Sequence, residues 1–126
     1  MCNKKPAYIS KVYEIFGTWV NPDYNNTGFC AKYVFHPNEK LESYSATTDR
    51  AADHGAFVIT NKWADSKGNI WYTIIQKFPF WGIGRIEYCF AKISNSGKTM
   101  EFTWNHGDYP TEIDPGYSRY TIFYRP

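Results

Sequence analysis

Two kinds of connection take turns along this chain, and their alternation restricts the fold more than any other feature. Tight turns lie at His36-Pro37-Asn38-Glu39-Lys40, Asp65-Ser66-Lys67-Gly68-Asn69 and Ser94-Asn95-Ser96-Gly97-Lys98. Longer connections, rich in aromatic and titratable residues, run from Asn21 to Gly28, Thr47 to Gly55, Pro79 to Gly84 and His106 to Ser118. If successive segments run up and down, every tight turn gathers at one end of the sheet and every long loop at the other. A closed barrel with a sealed floor and a decorated mouth is the simplest object with that property.

The segments between these connections alternate with a period of two and show no sustained helical period. They predict strands over residues 12–20, 29–36, 41–47, 56–64, 70–78, 85–93, 99–105 and 119–125, with a possible helical turn over 48–53. The fold class is therefore all-β. An eight-stranded antiparallel up-and-down barrel is favoured over a sandwich, because every connection is short enough for neighbours to pair and closure removes both sheet edges. Eight is also the strand number whose interior holds one small ligand.

With 126 residues the chain suits one domain. Aromatics make up 20% of it, including eleven Tyr and five Trp whose polar handles need partners. Fourteen basic and twelve acidic residues are interspersed, and no basic run exceeds the pair Lys4-Lys5, which argues against a nucleic-acid partner. Cys2, Cys30 and Cys89 show no CxxC spacing, so zinc held by sulfur is not expected. Cys30 and Cys89 fall on roughly opposite barrel strands and are expected to be free, buried thiols. Cys2, followed by the polar Asn-Lys-Lys-Pro, resembles the lipidated start of a mature bacterial lipoprotein; the plainer reading is an incidental Cys in a frayed terminus. The lipoprotein reading makes residues 1–10 a flexible tether and 11–126 the barrel. It would place the native protein in the periplasm or on the outer membrane, held only by the lipid anchor.

The first strand carries Gly17-Thr18-Trp19 and the last ends in Tyr124-Arg125. Closing the barrel would set the Arg125 guanidinium on the Trp19 ring and lock first strand to last. In these residues the chain resembles the lipocalin-like (calycin) barrels, in which a G-x-W signature opens the first strand and an Arg near the last strand packs across the Trp. The chain departs from the lipocalins proper at Ser94 to Lys98, where their threonine-aspartate-tyrosine motif is missing, and the helix that follows their last strand has no counterpart within residues 1–126. Nor can Asn21 to Gly28 hold the two helices of fatty-acid-binding proteins. The likeness is to a minimal bacterial lipocalin-like domain, and it implies a cup for a small, largely apolar ligand.

Strand parity predicts the cup lining. Tyr33, Phe35, Ile59, Trp63 and Tyr72 are expected inside, with Ile74, Tyr88, Phe90, Phe102 and Trp104. Asn61 and Gln76 share those faces and would orient the ligand, since a buried amide needs a bonding partner. Arg85 and Glu87 are expected to point outward; an inverted parity of their strand would bring them into the cup. At the rim, Phe80 and Trp81 stand between Pro79 and Gly82, either covering ligand or capping the barrel's own core. His54 and His106, with Asp108 and Glu112, could bind metal or transfer protons, although an Asp at a loop start ordinarily bonds its own backbone. No metal site or catalytic residue is assigned on this basis. His106 is the candidate ligand should a haem be bound, since some lipocalin-like barrels hold haem through one His. Two other functions are open: a lipocalin-fold enzyme of isomerase or decarboxylase type, and a protein-interaction module using the Phe80-Trp81 rim.

Overall fold

The computed structural model describes residues 13–27, 29–46, 53–78 and 85–126, and all of Arg85 but its side chain. Eight strands form one closed antiparallel barrel in sequence order: β1 (Gly17–Val20), β2 (Lys32–Phe35), β3 (Lys40–Tyr44), β4 (Asp53–Ala64), β5 (Ile70–Phe78), β6 (Arg85–Ile93), β7 (Thr99–Asn105) and β8 (Tyr120–Tyr124). The helical turn expected over 48–53 falls largely outside the described residues, and Asp53 already belongs to β4. One short helix, α1 (Tyr24–Thr27), stands in the first long loop instead.

The first strand is shorter than its alternation predicts, because the chain turns before Gly17 to plug the floor. Phe16 N–H bonds back to the Tyr13 carbonyl at 3.0 Å, and Ile15 is fully buried. The Trp19 indole donates to the Ile15 carbonyl at 2.8 Å. Tyr72 donates its hydroxyl to Glu14 at 2.6 Å, and Lys62 pairs with the same carboxylate oxygen at 3.0 Å. Burial works to raise the Glu14 pKa, but the Tyr72 hydroxyl and Lys62 outweigh it and hold the carboxyl below its ordinary range.

The seam between β1 and β8 is narrow. Its one paired position is Val20 opposite Tyr124. Arg125 does most of the closing: its guanidinium lies 4.1 Å from the Trp19 ring centre, and it donates to the Gly97 carbonyl at 3.1 Å and the Phe16 carbonyl at 3.0 Å. A third bond goes to the Glu14 carbonyl. Gly17 is required beneath it. Its φ is +113°, and a Cβ there would stand 3.0 Å from Arg125 Nη1.

The interior is built of rings. Trp19, Phe35, Phe57, Tyr72, Phe102 and Phe123 are all essentially inaccessible. Phe35 meets Phe57 edge-on at 5.0 Å, and Tyr33 lies 5.1 Å from Phe123. Each such ring contributes roughly 1.5–3 kcal/mol by leaving water. Cys30 and Cys89 are free thiols. Burial pushes the Cys30 thiol up to about 12 and raises that of Cys89 as well.

Two strands present faces opposite to expectation. In β4 the register slips between Ile59 and Asn61, so Thr60 is an extra residue. A one-residue slip moves every later side chain to the other face. Asn61 is therefore exposed on the outside, where it accepts the Lys62 N–H at 2.9 Å, and Trp63 also faces outward. In β6, Tyr88 and Phe90 point outward, and Glu87, Cys89, Ala91 and Ile93 fill the interior positions. That strand is apolar on both faces. Opposite Ile74 on β5 and Phe102 on β7, the two middle inward positions are taken by the small Cys89 and Ala91. Glu87, expected outside, is 2% exposed and pairs in register with Gln76.

Candidate functional site

The inward set divides into a floor of rings and a polar patch toward the long loops. There Tyr33, Gln76, Glu87 and Ser43 are all buried. Tyr33 donates its hydroxyl to Gln76 Oε1 at 3.4 Å. Burial, followed by the nearby Cys30 and Glu87 groups, pushes the Tyr33 pKa well up. Among the described residues Gln76 Nε2 has no hydrogen-bond partner. Tyr72 and Phe102 are inward and sealed, and Trp104 is inward and partly buried at the open end. His106 rests edge-on against Trp104 at 4.9 Å, and Arg119 covers the same ring at 4.7 Å. Among the described residues no group of three or more His, Cys, Asp or Glu is placed to hold a metal ion. Trp81, Phe80, Cys2 and the 1–10 tether lie outside the described residues.

Four clefts lined by described residues open on the surface of the barrel and its last long loop. One of them, a cleft of about 420 Å³ on β4–β7, brings together Trp63, Phe90 and Glu112, all singled out in the sequence. Its wall is Trp63, Trp71 and Phe90. Its opposite side is Thr111, Glu112 and Ile113 of the last long loop, and Lys92 and Glu101 stand at its edge.

Each wall follows from a local cause. Thr60, the bulge residue, turns Trp63 outward so that it pairs in register with Trp71 on β5. The two indoles are near-parallel, 6° apart in plane with centres 6.1 Å apart. Phe90 joins them at 6.0 Å from Trp63 and 5.1 Å from Trp71. Trp71 is held by its edge, its N–H donated to Asp65 at 2.9 Å. That bond, with those from Asn69 and Lys67, holds the Asp65 carboxyl far below the usual range. The bulge also anchors the opposite wall. Thr60 Oγ1 meets the Tyr109 hydroxyl at 2.7 Å, and Tyr109 packs edge-on against Tyr88 at 5.2 Å. Farther along the loop, Tyr117 donates to Asn105 at 2.6 Å. The segment from His106 to Arg119 is thereby folded back against the outer wall.

No protein family, curated protein or solved structure matches the chain. The closed eight-stranded antiparallel barrel is consistent with a lipocalin-like fold and compatible with ligand binding.

Trp63 and Phe90 were expected around a ligand and do share a cavity, but outside the barrel. Tyr33, Tyr72, Gln76 and Phe102 lie within it, and Tyr88 supports the loop. Trp71, Lys92 and Glu101 were missed. Trp71 carried one signal: strict alternation in residues 70–78 leaves a large indole on the solvent face, where a ring without cover is costly.

A second groove, of about 530 Å³, crosses β3 and β4 between Glu42 and His54. Glu42 accepts from Tyr44 at 2.6 Å and meets His36 at 3.1 Å. The Tyr44 hydroxyl, helped by His36 and His54, lowers the Glu42 pKa. The carboxylate is already engaged by neighbours, which fits a surface ion network.

Proposed function

We propose that this protein is a lipocalin-like barrel that binds a small ligand on its outer wall, in the cleft between the Trp63–Trp71–Phe90 rings and the 111–113 loop. The observation that carries this reading is Trp63. It leaves 39% of its surface in solvent beside two further rings, at a cavity of about 420 Å³. Large aromatic surface left in water is costly unless something covers it. The volume is within the range of roughly 300–1,000 Å³ typical of small-molecule sites. Both walls are held in place without a ligand, one by Asp65 and one by Thr60, so little ordering would be lost on binding.

The apolar cup implied by the lipocalin likeness is the weaker alternative, because the chain's own rings pack the interior. One observation still favours an interior guest: the buried Gln76 Nε2, which lies beside Glu87 and itself has no hydrogen-bond partner among the described residues. An acceptor atom from a small molecule or a water would complete it.

A fluorescence titration with the neutral probe N-phenyl-1-naphthylamine tests the outer cleft. Wild-type protein should bind the probe with indole quenching. Trp63→Ala should weaken it about tenfold or more, with an unchanged far-UV spectrum. Equal binding by the variant, or no uptake by the wild type, refutes the outer site. Native mass spectrometry addresses the inner one: a retained organic molecule that survives Trp63→Ala points to the interior.

A further inference from the structure

We infer that the outer cleft takes a neutral saccharide, with a sugar ring laid against the Trp63–Trp71–Phe90 wall. The inference rests on the outer-cleft reading above and names its ligand class. The first argument is the wall. Three rings lie within 34° of one another. Aromatic faces carry negative potential. The flat C–H face of a pyranose is apolar, weakly positive and about as broad as an indole, so it complements such a wall.

The second argument is the charge at the edge. Lys92, the cation of the lining, is committed: its Nζ is 3.8 Å from Glu101 and 5.2 Å from the Trp71 ring centre. Glu101 is held in turn by the Tyr120 hydroxyl at 2.8 Å. Glu112 adds a second carboxylate on the loop side, where it is exposed. One cation against two carboxylates repels phosphates, nucleotides and fatty acids, although a nucleobase alone could stack here. A wholly apolar guest would cover the exposed Glu112 carboxylate and Thr111 hydroxyl without offering either a hydrogen bond. A ligand with an apolar face and a periphery of uncharged hydroxyls satisfies both halves of the lining, donating to Glu101 and Glu112 and exchanging with the Thr111 hydroxyl.

A third observation lies next to the cleft. Thr103 is directly opposite Phe90 in the register, and its hydroxyl is buried without a hydrogen-bond partner among the described residues. The outer wall under the loop thus has polar as well as apolar capacity to fill.

The test is intrinsic Trp fluorescence and calorimetry on the whole chain with cellohexaose, laminarihexaose, maltohexaose and xylohexaose, against adenosine monophosphate, oligogalacturonate and the naphthalene probe. At least one neutral oligosaccharide should bind with a dissociation constant between about 1 μM and 1 mM. Its affinity should change less than about twofold between low and high salt, as expected for an uncharged ligand. Trp63→Ala should weaken it about tenfold or more, and Trp63→Phe, which keeps a flat ring and guards against misfolding, less than that. Glu112→Ala, on an exposed loop, should weaken the saccharide and leave probe binding unchanged or tighter. Trp63-dependent probe binding with no saccharide bound, or with adenosine monophosphate or oligogalacturonate preferred, overturns the ligand class and leaves the cleft standing. Loss of every Trp63-dependent signal overturns the cleft itself.

Discussion

Replacing Arg125 with Ala should open the barrel at one seam, and the structure sets the size of the effect. The β1–β8 border has one register pair, Val20 with Tyr124. Arg125 supplies three bonds to the carbonyls of Gly97, Phe16 and Glu14, and it covers the Trp19 ring. Those carbonyls are only partly shielded from water, so each bond is worth about 0.5–1 kcal/mol, less than a buried bond from a charged donor. The contact with the buried Trp19 ring adds about 1–2 kcal/mol. Arg125→Ala should therefore cost about 2.5–5 kcal/mol, out of a total stability that for such domains is roughly 5–15 kcal/mol. At about 4 °C per kcal/mol for this size, the midpoint should fall by about 10–20 °C. Arg125→Lys keeps the charge but not the planar fork, and should lose about half as much. Urea unfolding followed by far-UV circular dichroism gives the free energies. Hydrogen exchange should show β1 and β8 amides losing protection ahead of β5 and β6. A loss below about 1 kcal/mol for the Ala variant, a Lys variant equal to wild type, or uniform exchange around the barrel would refute the idea that this guanidinium closes it.

Two further outcomes follow from the titratable groups. The Glu42 pKa is lowered from 4.5 in the fold, chiefly by the Tyr44 hydroxyl, so its stabilising contribution is present above pH 4.5 and is lost as the pH falls through the folded value. Tyr44→Phe should thus cost about 1 kcal/mol at pH 7 and much less near pH 3; an equal deficit at both pH values in urea titrations would show that the hydroxyl acts through packing instead. In a Cys2→Ser background at pH 8, Cys30 should react with a disulfide reagent about a thousandfold more slowly than a free thiol, because burial pushes its pKa up to about 12, and Cys89, whose pKa burial also raises, should be slowed as well; labelling with an apparent pKa near the ordinary 8.5 would contradict that burial.

Several particulars of this molecule were legible in the residues. Tight turns at Pro37, Gly68 and Gly97 separate strands that could only pair with their neighbours, and β5, β6 and β7 begin and end where alternation places them. The strict pattern in residues 70–78 also put Tyr72, Ile74 and Gln76 on the inner face correctly. The β6 face was not legible, since Tyr88 and Phe90 alternate with Cys89 and Ala91 and either set reads as a core. Nor was the bulge: Thr60 is an ordinary strand residue, and its hydroxyl finds the Thr73 carbonyl and the Tyr109 hydroxyl only after two distant segments have met.

Local chemistry alone, then, determined how many strands there are and that neighbours pair in order, because turn length and period-two alternation act over a few residues; the closure of first on last, favoured in the sequence over a sandwich, is made by the Val20–Tyr124 pair and by Arg125. Which rings face inward, and that Trp63, Trp71 and Phe90 share an outer cleft beneath a folded-back loop, was decided only in three dimensions. Packing volume chose the face of β6, and a single unpaired residue at Thr60 reversed the end of β4. Neither quantity exists until the wall has closed.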